Sequence, residues 1–152
     1  MEENYDSHLE DIEKFIEFIN DLTTEIYYEH LMCNGKTLFQ CGACYEFVKI
    51  IKEFFDIDNI LIANDFCHCA FEYRGNYYDS LGIIKDKENF SIVTDDEMIY
   101  MEDRFGIHLK RYKIFETIID EISRIEKVPY LPINFYENRE RSKFKVKTNA
   151  YY

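Results

Sequence analysis

Apolar residues recur at helical spacing near the start of the chain. Leu9, Ile12, Phe15, Ile16, Ile19, Leu22 and Ile26 share one stripe and predict an amphipathic helix over 8–31, with acids on the outer face. Asn34-Gly35 breaks that pattern. A second stripe of Cys44, Phe47, Val48, Ile51, Phe54 and Phe55 predicts a helix beginning near Cys44, with Gly42 suited to the tight turn before it. The period then changes. Asn59 to Asn64 is a short apolar run that reads as a buried strand, and Phe66–Tyr73 and Tyr77–Ile83 flank Arg74-Gly75-Asn76 as a hairpin. Phe90 to Val93 is a further candidate strand. Thr94-Asp95-Asp96-Glu97 has the capping-box pattern and opens a helix expected to stop near Gly106. Ile114, Ile118, Ile119, Ile122 and Ile125 predict a last helix over about 113–126, ended by Pro129 and Pro132. Lys143-Phe144-Lys145-Val146-Lys147 alternates like an edge strand whose lysines discourage further pairing. The order predicts an α+β fold, with N-terminal helices packed on a central antiparallel sheet and further helices following.

Length adds a bound. A chain of 152 residues makes one domain, 1–152, long enough to bury a core without disulfide staples. Within it, 34–93 carries the candidate chemistry and 137–152 is a basic C-terminal segment. The net charge of −12 argues against binding a phosphate backbone, so nucleic acid is not the expected partner. Charge is unevenly spread: residues 1–32 hold ten acids against Lys14 alone, whereas Arg139, Arg141, Lys143, Lys145 and Lys147 face only Glu140. Residues 1–20 lack the apolar core of a secretory signal, and no apolar run approaches a membrane span of about 20 residues. The five cysteines therefore read as reduced thiols of a cytoplasmic protein.

Three residues stand out chemically. Cys44 opens a helix, His68 follows 24 residues later in a strand, and Asp79 lies in the next strand, 11 residues further on. A thiol attacks as its thiolate, and both a helix N-terminus and a nearby imidazolium lower its pKa. A carboxylate on the far ring nitrogen fixes the tautomer. The hairpin permits a geometric check. A two-residue loop at Arg74-Gly75, or a four-residue loop from Tyr73 to Asn76, pairs residues whose numbers sum to 149, which sets Asp79 opposite Ala70 and diagonal to His68 on one face. The Cys44 sulfur should then lie within about 4 Å of a His68 ring nitrogen. An oxyanion needs donors: the Cys44 backbone N–H is one, Gln40 the best side-chain candidate, and Asn34 a second choice. Strand alternation sends Cys67, Cys69, Phe71 and Tyr73 to the core face, so Cys67 and Cys69 are expected to point away from Cys44.

Cys41-Gly42-Ala43-Cys44-Tyr45-Glu46-Phe47 resembles the nucleophile segment of papain-type proteases, although those chains are longer and place their histidine far downstream. The compact order is more similar to transglutaminase-like and bacterial papain-like hydrolases. It also resembles small phage and bacterial proteins that carry Cys-aromatic-x-Phe followed by a His-to-Asp hairpin, here Cys44-Tyr45-Glu46-Phe47 and His68 through Asp79. The likeness spans about residues 40–84. It implies a papain-like/transglutaminase-like fold and a thiol hydrolase or acyl transferase, with Cys44 as nucleophile, His68 as base, Asp79 as orienter, and no cofactor or metal.

Two other readings compete. Cys41, Cys44, Cys67 and Cys69, with Cys33 spare, offer thiolates for a zinc site, but the second pair is tightly spaced and must face Cys44 where the hydrolase needs His68 to do so. The acidic first helix instead fits a non-enzymatic interaction protein that occupies a partner's basic, nucleic-acid-binding surface.

Overall fold

The computed structural model describes residues 2–40, 42–102, 105 and 107–125. Cys41, the prolines at 129 and 132, the alternating run at 143–147 and the basic segment at 137–152 lie outside these. Helix α1 (Glu2–Leu31) is followed by the short α2 (Gly35–Leu38) and by α3 (Cys44–Phe54). Five strands come next: β1 (Asn59–Ala63), β2 (Cys69–Tyr73), β3 (Asn76–Asp79), β4 (Gly82–Ile84) and β5 (Phe90–Val93). Helices α4 (Asp95–Met101) and α5 (Ile114–Arg124) complete the described fold. The sheet order is β4-β3-β2-β1-β5, and every neighbouring pair is antiparallel. The chain is therefore α+β, with N-terminal helices on an antiparallel sheet. Among the described residues, no helix is long and apolar enough to cross a membrane.

The core forms where the predicted stripes meet. Ile12, Phe15, Ile16 and Ile19 of α1, Phe47, Val48, Ile50 and Ile51 of α3, and Ile114, Ile118 and Ile122 of α5 are all buried. Phe71 and Tyr78 pair across β2 and β3 and stack with ring centroids 5.6 Å apart. Phe47 of α3 packs on Phe71 at 6.3 Å. This face of the sheet carries α3, and so the helix that bears Cys44.

The β2–β3 hairpin has the anticipated register: Phe71 pairs with Tyr78, Glu72 with Tyr77 and Tyr73 with Asn76, each summing to 149. Arg74 and Gly75 both have positive φ, the conformation of a two-residue type I′ turn. The capping box on α4 is also present, with Thr94 accepting from the Glu97 backbone N–H and the Glu97 carboxylate accepting from the Thr94 N–H.

Several expectations are corrected. Tyr77–Ile83 is two strands rather than one. Asp79 pairs with Gly82 across a turn at Ser80-Leu81, because the Asp79 carboxylate accepts from the Leu81 N–H (2.9 Å) and closes the turn locally. Asn34-Gly35 does end the first helix, which stops at Leu31, and it also starts α2: Asn34 Oδ1 accepts from the Thr37 N–H at 2.8 Å. Helix α4 stops at Met101, well short of Gly106, and a 3₁₀ turn over Ile107–Tyr112 leads into α5. Strand β2 begins at Cys69, which leaves Cys67 exposed and outside the ladder.

Candidate active site

Cys44 is the first residue of α3. The preceding Gly42 has φ +132°, a conformation glycine adopts without strain. Ala43, at the N-cap, contributes no side-chain hydrogen bond, so the N-terminal end of α3 has no side-chain cap. The thiol is only 2% exposed.

His68 comes one residue before β2, and its carbonyl accepts from the Ala63 N–H at 2.8 Å. Its Nε2–H donates to Asp79 Oδ2 at 2.9 Å. The other ring nitrogen, Nδ1, remains for Cys44, with which His68 shares a hydrogen bond. Phe90 lies edge-on to the imidazole at 6.2 Å and helps to screen it from water. The turn after β3 fixes Asp79, which is buried and accepts from the Leu81 N–H as well as from His68.

These contacts set the acidities. The Cys44 thiol is lowered to about 5. A hydrogen bond from Cys69 is the largest cause; burial opposes it, and the hydrogen bond and charge of His68 reinforce it. Burial works against protonating His68, but its hydrogen bonds to Asp79 and Cys44 outweigh burial and raise it to about 9. Burial likewise opposes ionisation of Asp79, and hydrogen bonds from His68, the Leu81 N–H and Gln40 overcome it, so the carboxyl lies below its usual range. The Cys69 thiol is pushed up, because it holds its proton toward Cys44 in a buried setting. These shifts all favour the charged forms: an ionised Cys44, a protonated His68 and an ionised Asp79, with Cys69 holding its own proton.

The predicted residues are thus placed as follows. Cys44, His68 and Asp79 come together. Gln40 is in the same network, but its Nε2 donates to Ser80 Oγ at 2.8 Å, and the side chain also hydrogen-bonds Asp79. Asn34 is committed to capping α2. Cys69 turns toward Cys44, contrary to expectation. The rule that alternating strand residues cannot both reach one point does not apply, since His68 precedes the ladder and only Cys69 obeys its alternation. Cys69 was within reach of sequence reasoning: it lies on the core face of its strand, and Cys44 on the apolar stripe of the helix covering that face. Ser80, and Asn20, whose Nδ2 donates to the Ser80 carbonyl at 2.8 Å, carried no comparable signal. Among the described residues, no group of three or more His, Cys, Asp and Glu side chains is placed to hold a metal ion.

Fold and cluster together define a small α+β protein whose buried thiol is joined to a carboxylate through one imidazole. The chain belongs to the phage YunG-like protein family, whose model matches residues 16–119 and so spans Gln40, Cys44, His68 and Asp79. No curated protein and no solved structure matches it.

Proposed function

We propose that this protein is a thiol-dependent hydrolase or acyl transferase acting on an amide, ester or isopeptide carbonyl, on a compact papain-like/transglutaminase-like scaffold. The observation that carries the reading is the 2.9 Å bond from His68 Nε2 to Asp79, which leaves the opposite ring nitrogen for a thiol in the first turn of α3. The Cys44 thiolate attacks the carbonyl carbon, and the oxygen takes the charge, with the Cys44 backbone N–H as a donor. His68 gives its proton to the departing amine or alcohol, and a thioester remains. Neutral His68 then takes a proton from water or an acceptor amine, whose attack releases the product and restores the thiolate. Asp79 holds the ring in the tautomer that keeps Nε2 protonated. The reactive state requires ionised Cys44 and protonated His68, so activity should be bell-shaped, falling below about pH 5 and above about pH 9.

The test is iodoacetamide alkylation of Cys44 from pH 4 to 10, followed by peptide mapping. Wild type should show a midpoint near 5. In His68→Ala the midpoint should rise toward the ordinary thiol range. At pH 6 its rate should fall about tenfold, since the lost thiolate is only partly offset by the greater nucleophilicity of a more basic sulfur. Superimposable curves would remove His68 from the mechanism.

One observation favours a second reading. With Cys44 only 2% exposed, its cover must move before a substrate can reach the sulfur. A phage-type acidic interaction protein on a hydrolase-like scaffold needs no such opening. Its exposed Glu13, Glu17, Asp21, Glu25 and Glu29 along α1 would then face a basic partner. A wild-type protein that resists iodoacetamide at every pH until urea is added would favour this reading.

A further inference from the structure

A partly buried polar relay runs away from Asp79 into the N-terminal helices. Gln40 Nε2 donates to Ser80 Oγ at 2.8 Å, and Ser80 Oγ donates to the Lys36 carbonyl at 3.1 Å. Asn20 Nδ2 on α1 donates to the Ser80 carbonyl at 2.8 Å, with Asn20 and Ser80 both almost fully buried. The relay also fixes the orientation of the Gln40 amide. Because the Ser80 proton is spent on Lys36, its oxygen can only accept, and an ionised Asp79 can only accept as well. Both neighbours demand N–H groups, and the Gln40 amide nitrogen has two. Gly35 seals the arrangement: a Cβ there would run into the Asn20 carbonyl oxygen, so only glycine lets α2 close on α1. Oxyanion donors must point at the space beside Cys44 Sγ, whereas this amide is committed to Ser80 Oγ and to Asp79.

We infer that Gln40, seated by Ser80, is a positioning residue that keeps the Asp79 carboxylate turned toward His68, and is not an oxyanion donor. The inference deepens the thiol-hydrolase reading given above and concerns the same site. It assigns Ser80 and Asn20 a role as well: they hold the β3–β4 turn against α1 and α2, so the carboxylate's direction depends on a contact between residues 60 positions apart in the chain.

The test uses Gln40→Met, which keeps the stem and volume but removes both N–H donors. Two NMR readouts report on the Asp79–His68 bond without involving Cys44. The Asp79 carboxyl, followed by its carbon shift, should become about tenfold weaker as an acid once one charge-assisted hydrogen bond is lost. The His68 Nε2–H should exchange with water about tenfold faster when its acceptor is no longer held. Ser80→Ala, which unseats Gln40 without removing it, should move both readouts the same way by less, and it decides the matter if Gln40→Met does not fold. A fall in urea midpoint with both readouts unchanged would make Gln40 merely structural and overturn the inference. So would unchanged readouts with slower acylation, the signature of an oxyanion donor. Alkylation of Cys44 in the same samples separates the two ideas. If His68→Ala leaves the Cys44 profile untouched while Gln40→Met shifts both readouts, the hydrolase reading fails and the positioning role stands.

Discussion

Cys44 and Asp79 flank the same imidazole, and their surroundings differ in kind. The thiol sits in the apolar core, in the same cluster as Phe47 and Phe71, with Cys69 as a polar neighbour. The carboxylate sits in a lattice of directed bonds from Leu81, Gln40 and His68, backed by Ser80 and Asn20. Burial acts against charge at both ends, yet the donors at each end favour the charged form, by different means. At the thiol, two specific donors reach into an otherwise apolar pocket. At the carboxylate, backbone and amide donors surround the group. The apolar end should therefore respond to lost volume, and the polar end to lost donors.

The largest effect expected is on the apolar end. Phe47→Ala removes the ring that joins α3 to Phe71 and should cost about 3–5 kcal/mol, read as a lower urea midpoint. Cys69→Ala comes next. It barely changes volume but deletes the strongest cause of the Cys44 shift, so the alkylation midpoint should climb from about 5 by roughly 1–2 units. A profile unchanged from wild type would assign the acidity of Cys44 to His68 and the helix start alone. Asp79→Asn should have the smallest effect. The asparagine oxygen can still accept from the Leu81 N–H, so the turn and fold are retained. With the charge gone, His68 becomes less basic, and alkylation at pH 6 should slow by about threefold, less than in His68→Ala. A collapse in stability instead would mean that the polar lattice supports the fold as much as the site.

The two ends also differed in how far they could be read from sequence. The helix start at Cys44 and the hairpin register follow from local patterns, an apolar stripe and an Arg-Gly turn, and both are found. The turn at Ser80-Leu81 was missed because it is fixed by Asp79 bonding to its own backbone and by Asn20, 60 residues distant. Nothing in the alternation of Tyr77–Ile83 records that capture. Cys69 was misread for another reason: the alternation was continued back through His68, where no strand exists.

The connectivity of the sheet has a kinetic consequence. Strands β1 to β4 form a meander of successive hairpins, so His68 and Asp79, 11 residues apart, are brought together by a short closure. Hairpins of this kind form in about 1–10 μs, and short closures carry the smallest entropic cost. Cys44 must wait for α3 to dock on the finished sheet. The imidazole–carboxylate pair should thus assemble first, with the sulfur joining it late. During refolding the thiol then keeps ordinary acidity until the chain is nearly native. A nascent or partly unfolded molecule would carry a thiol of ordinary acidity, sharpened only by completion of the fold.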